Sequence, residues 1–152
     1  MNASQTQAGQ ATTHVSTLLV KDLMTTRVLT IRMDETVETA KAMFDDKRFH
    51  HLVVMDKVAV VGVVSDRDIL KVLSPFIGGN MEQPRDRTTL ERHIHQIMTR
   101  TLVTIDPNET ARAAAQKMQR ERVSCLPVVD EKMSLLGLVT IRDFLRLAAR
   151  QP

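Results

Sequence analysis

The chain has 152 residues, with 21 Lys and Arg against 18 Asp and Glu, one Cys, four Phe and neither Trp nor Tyr. That length suits one compact domain or two very small ones, and a net charge of +3 mixed along the chain is not the clustered basic stripe of a nucleic-acid binder. The scarcity of aromatics removes base-stacking platforms, and the lone Cys125 excludes an internal disulfide framework. With no apolar run near the roughly 20 residues of a bilayer span and no signal-peptide pattern, a cytoplasmic protein with no membrane association is expected.

Residues 1–17 are polar, small and aperiodic, which predicts a disordered lead-in. From Val20 the chain repeats itself. Asp22-Leu23-Met24-Thr25 answers Gln96-Ile97-Met98-Thr99, and Val28-Leu29-Thr30-Ile31 answers Leu102-Val103-Thr104-Ile105, at an offset of 74 residues. One residue enters near Lys132 and the offset becomes 75, so that Gly62 meets Gly137, Ser65 meets Thr140 and Asp68 meets Asp143.

Each copy reads as β-α-β-β-α. A first strand is predicted at Val28–Ile31 and Leu102–Ile105. Helices follow over Glu35–Lys47 and Glu109–Glu121, with Asp34 and Asn108 expected as N-caps. Strand pairs are predicted for Leu52–Met55 with Val58–Val64 and for Leu126–Val129 with Leu135–Val139. Final helices open at Ser65 and Thr140 and run to Leu73 and Ala149. Ser74–Thr88, carrying Pro75, Gly78, Gly79 and Pro84, has the composition of a linker. Thr89–Met98 looks helical, which would place His93 and His95 on opposite sides, unable to share a metal. The resulting division is a lead-in at 1–17, repeat 1 at 18–73, a linker at 74–88 and repeat 2 at 89–150. The fold class is α/β (α+β): two repeats of about 50 residues, neither able to cover its apolar surface alone, packed sheet to sheet about a pseudo-two-fold axis.

The sharpest local signal is Gly-x-x-Ser/Thr-x-x-Asp, present as Gly62…Ser65…Asp68 and Gly137…Thr140…Asp143. Ser or Thr followed three residues later by an acid is a capping box that needs no ligand. The same atoms suit a nucleotide: a helix N-terminus and a hydroxyl for phosphate, Arg67 or Arg142 for a charge-assisted donor, and a carboxylate for ribose hydroxyls.

The duplicated motifs, with Val123-Ser124-Cys125-Leu126-Pro127-Val128-Val129-Asp130, resemble a tandem pair of cystathionine-β-synthase (CBS) domains, a Bateman module, over nearly all of Val20–Ala149. The resemblance implies an adenosine-containing regulatory ligand (AMP, ADP or ATP, with S-adenosylmethionine or NAD as alternatives) rather than a cofactor. It also implies a homodimer that forms a disc of four repeats and an effector protein that reads the ligand state. Its clefts are built crosswise. One would join Ser65, Arg67 and Asp68 to Met98, Val103, Val123 and Ser124; the other would join Thr140, Arg142 and Asp143 to Met24, Leu29, Phe49 and His50, with His51 adjacent. The Thr140–Asp143 cleft is expected to bind phosphate better, because the imidazoles there can donate. The sequence departs from the pattern at Val53, where the second copy keeps Pro127.

An enzyme is not expected. No His or acid stands at a spacing that would activate Cys125, and neither GxxxxGK nor GxGxxG occurs. No metal-ligand pattern is apparent. Two other readings stay open: a ligand-free structural or interaction module, and a nucleic-acid binder using Arg85, Arg87, Arg92 and Arg100.

Overall fold

The computed structural model describes residues 17–45 and 49–149, so the lead-in, Thr17 apart, and the expected end of the first long helix lie outside the described residues. In chain order the elements are α1 (Val20–Leu23), β1 (Thr30–Arg32), α2 (Val37–Phe44), β2 (His51–Asp56), β3 (Ala59–Ser65), α3 (Asp66–Val72), α4 (Pro84–Arg87), a 3-10 turn (Ile94–Gln96), α5 (Ala111–Glu121), β4 (Cys125–Val129), β5 (Leu135–Thr140) and α6 (Ile141–Ala149). They form two compact units, one of residues 28–102 and one of residues 17–27 with 103–149.

In the contiguous unit β1 runs parallel to β2 (Ile31 opposite Val54) and β2 pairs antiparallel with β3 (Leu52 opposite Val64). Inward positions alternate along β3, and Ile31, Val37, Ala40, Leu52, Val54, Val64, Ile69 and Ile94 close into one core. Thr99 adds to the free edge of β3, exchanging hydrogen bonds with Val63 at 2.9 and 3.3 Å.

The second unit repeats this plan with two chain segments. β4 and β5 pair antiparallel over a core of Val20, Ile105, Ala114, Met118, Leu126, Val128 and Val139. Val20 comes from the start of the chain, fully buried and held by its own N–H on the Glu109 carbonyl at 2.8 Å. Thr25 adds to β5 at Leu138 as Thr99 adds to β3.

Four sequence expectations are corrected. The long helices start later, at Val37 and Ala111, capped by Thr36 and Thr110, whose hydroxyls accept from Thr39 and Ala113 N–H at 3.3 and 3.1 Å. Asp34 instead pairs with Arg32, and Asn108 accepts from Lys21 at 3.2 Å. The strand expected at Leu102–Ile105 shrinks to a bridge from Ile105 to Val128. The cause is Pro127: in the first copy the Val53 N–H donates to the Leu29 carbonyl at 3.2 Å, whereas proline has no N–H to offer Val103. Thr89–Met98 is helical only at Ile94–Gln96, because Val37, Glu38 and Ile94 tie residues 90–94 to the start of α2 by backbone hydrogen bonds. Finally, Ser74–Thr88 includes α4 and is knotted around a buried carboxylate. Asp86 is 8% exposed and accepts from Ser74 Oγ at 2.7 Å and from the Gln83 N–H at 2.8 Å. These bonds hold its carboxyl below the usual range.

Candidate functional site

The two Gly-x-x-Ser/Thr-x-x-Asp segments fold alike, one in each unit. The glycine sits on the last strand of each unit, and the Ser or Thr ends that strand immediately before the next helix. In the contiguous unit Asp68 Oδ2 accepts from the Ser65 N–H at 2.9 Å and from Ser65 Oγ at 2.7 Å, while the Asp68 N–H donates to Ser65 Oγ at 3.3 Å. In the other unit Asp143 Oδ2 accepts from the Thr140 N–H at 2.7 Å and from Thr140 Oγ1 at 2.9 Å. The reciprocal capping box is complete at Ser65 and Asp68, and its carboxylate half recurs at Thr140 and Asp143. The carboxylates differ in access: Asp143 is 5% exposed with Oδ1 taken by Arg146 at 3.2 Å, whereas Asp68 is 24% exposed with Lys71 at 3.6 Å.

Each glycine is required by close approach. A Cβ on Gly137 would lie 2.5 Å from Met24 Sδ and 3.0 Å from the Thr25 carbonyl oxygen; one on Gly62 would lie 2.8 Å from Met98 Sδ and 2.9 Å from the Thr99 carbonyl oxygen. The Met-Thr dipeptide near the start of one sequence repeat thus packs on the last strand of the other.

The structure distributes the predicted site residues between the units. Ser65, Arg67, Asp68, Met98, Leu29, Phe49, His50 and His51 belong to the contiguous unit; Thr140, Arg142, Asp143, Met24, Val103, Val123 and Ser124 belong to the other. Arg67 and Arg142 are exposed on the first turns of α3 and α6. Phe49 packs against Phe44 with ring centroids 5.5 Å apart. The Ser124 backbone carbonyl accepts the Ile141 N–H at 3.1 Å, the counterpart of the His50 carbonyl accepting the Asp66 N–H at 3.2 Å.

Asp66 was not among the predicted residues. His50 Nδ1 lies 2.6 Å from its carboxylate. Partial burial works against the charge on Asp66, but the hydrogen bonds from His50 and the Arg67 N–H outweigh it and hold the carboxyl below its ordinary range. The signal was legible as a difference between copies, since Asp66 answers the neutral Ile141.

Cys125 is 7% exposed and its thiol is pushed up to about 12 by burial, which disfavours a nucleophile. Of the arginines considered for nucleic acid, Arg87 pairs with Glu82 at 3.0 Å and Arg100 donates to the His95 carbonyl at 2.8 Å. Among the described residues no helix is long and apolar enough to cross a membrane.

The CBS domain model matches residues 20–75 and 94–150. The chain belongs to the CBS-domain family. A CBS domain-containing protein of Dictyostelium discoideum is 35% identical over 132 residues, covering 86% of this chain and 90% of that protein. A homoserine O-acetyltransferase of Methanococcoides burtonii is 37% identical over 136 residues, 89% of this chain, but the chain spans only 24% of that enzyme's length. Among solved structures, the CBS domain pair of MJ0100 with 5′-methylthioadenosine and S-adenosyl-L-methionine superposes with a TM-score of 0.72 at 27% identity, over 86% of this chain and 95% of the other. CBSX2 in complex with AMP does so with a TM-score of 0.72 at 26% identity, over 88% and 97%. The CBS repeats expected from sequence and the mixed α/β class are both present.

Proposed function

We propose that this CBS-domain chain is a regulatory module that binds an adenosine-containing ligand, with AMP, ADP or ATP favoured over S-adenosylmethionine. The observation that carries this reading is the twofold recurrence of one strand-to-helix junction, a glycine under a methionine followed by a Ser/Thr–Asp cap, in a chain similar to structures that hold AMP and S-adenosylmethionine. In this reading Ser65 and Thr140, with the helix-start N–H groups and Arg67 or Arg142, receive phosphate, while Asp68 and Asp143 turn toward ribose hydroxyls. Met98, Val103, Val123 and Ser124 face the base in one case, and Met24, Leu29, Phe49, His50 and His51 in the other. The chain performs no catalysis. A ligand acts by binding one conformation more tightly than another, and a separate effector protein or a second copy of the chain reads the shift.

Calorimetric titration of the full chain with AMP, ATP and S-adenosylmethionine tests the proposal. Binding that weakens at least tenfold in Asp68→Ala or Asp143→Ala, with folding verified by circular dichroism, supports it. Equal affinity in both variants, or no binding by any of the three, overturns it.

A second reading is favoured by the completeness of the caps. Both Asp143 oxygens are engaged by the protein itself, as a purely structural interaction module requires. In that case Asp143→Ala lowers stability and no adenosyl compound changes the melting temperature.

A further inference from the structure

The collapse of the expected helix at Thr89–Met98 changes what its histidines can do. Ile94 is fully buried in the core, and its N–H donates to the Glu35 carbonyl at 2.8 Å; the His95 N–H donates to the Met33 carbonyl at 2.9 Å. With Ile94 turned inward, the flanking imidazoles lie together: their rings are stacked within 10° at a centroid distance of 5.5 Å. His93 Nδ1 bonds the Asp34 carbonyl at 2.8 Å, and His95 Nδ1 bonds the Met33 carbonyl at 3.1 Å. A carbonyl only accepts, so both Nδ1 atoms carry a proton, and the neutral form of each ring then has its lone pair on Nε2. Both rings are thus held through Nδ1 on neighbouring carbonyls, which leaves Nε2 as the nitrogen of each ring not used in those bonds.

An imidazole whose Nδ1–H is tied to a backbone carbonyl is in the orientation and tautomer that metal-ligating histidines adopt. We infer that His93 and His95 form a two-imidazole site for a borderline divalent transition ion such as Zn2+, Ni2+ or Cu2+, for which imidazole is a suited ligand. Among the described residues no cluster of three or more His, Cys, Asp or Glu is placed to hold a metal, so water completes the coordination and the site is open. Bringing both Nε2 atoms to about 2.0–2.1 Å from one ion requires the rings to tilt toward each other. Their outer edges have room for this, because His93 is exposed and His95 half-buried. The bound ion would clamp the segment leading to Met98 and Thr99, which packs on Gly62.

The test is a Zn2+ titration of the full chain followed by long-range 1H–15N NMR of the imidazoles. His93 and His95 are expected in the Nδ1–H form before zinc. Zinc should then move both Nε2 resonances together, and His93→Gln or His95→Gln should weaken binding about tenfold to a hundredfold. Zinc that leaves these two rings unmoved up to millimolar concentration, moves only one, or moves His50 and His51 instead overturns the site. The wild-type spectrum decides this alone if either variant fails to fold.

Discussion

Arg122 closes α5 in the left-handed region, at φ 56°, a conformation that favours glycine. Arg122→Gly is therefore expected to stabilise the protein by about 0.5–1 kcal/mol, read as a rise in the chemical denaturation midpoint. The two capping carboxylates should respond unequally to truncation. Asp143→Ala strips a buried acceptor from the Thr140 N–H and hydroxyl and is expected to cost about 1–2 kcal/mol, and Asp68→Ala less, because Asp68 is the more exposed. Urea titration of both variants checks the order. Gly137→Ala meets the backbone oxygen of Thr25 as well as a methionine sulfur, so the added strand must shift, at an expected cost of about 1–3 kcal/mol.

At the scale of elements, the segment between the repeats is held by carboxylates rather than by an apolar core. Glu82 accepts from the Gly78 N–H at 2.7 Å and from Arg87 at 3.0 Å, and Asp86 is bonded as described. Both carboxyls lie below their ordinary values, Glu82 through the Gly78 N–H and then Arg87, Asp86 through the Gln83 N–H and then Ser74. A depressed folded-state pKa contributes stability above the unfolded value, and that contribution is lost as pH falls through the folded value. The melting temperature should accordingly drop below about pH 4, and Asp86→Asn should make that drop shallower. A pH series of melts that is identical for the variant and the natural chain would remove the linker from this account. The two hairpin turns show how the single inserted residue is absorbed. The first turns tightly at Lys57 (φ 53°), while the longer second turn uses Met133 (φ 63°) with Asp130 Oδ1 accepting from the Lys132 and Ser134 N–H groups.

For the whole molecule, the sequence repeats and the compact units are cut at different places. Residues 17–27 complete the unit that contains repeat 2 from residue 103 onward, so deletion of 18–27 should unfold that unit by removing buried Val20 and the Thr25 edge, while 28–102 keeps its structure. By the same reasoning a fragment of 28–102 should unfold cooperatively by circular dichroism, whereas 18–73 should not, since it lacks Ile94 and the Thr99 edge. Saturating ligand at a hundred times its dissociation constant should stabilise the intact chain by about 2.7 kcal/mol. An external dye is needed to see it, because the chain has neither Trp nor Tyr.

The duplication, the order of strands and helices, and the caps at Ser65 and Thr140 were legible in the residues because each rests on local chemistry: alternation, helical spacing, and a hydroxyl three residues before an acid. The helix starts at Thr36 and Thr110 were misplaced by two residues because Asp34 and Asn108 are equally good caps in isolation, and only the neighbouring chain tying down Val37 and Ala111 selects between them. The shortened strand at Ile105, the non-helical path of Thr89–His93, the Asp86 knot and the stacked histidines all depend on partners far along the chain. So does the placement of Met24 on Gly137 and Met98 on Gly62. Those contacts are set by which backbone donors and buried surfaces meet in three dimensions, and a one-dimensional pattern carries no record of that meeting.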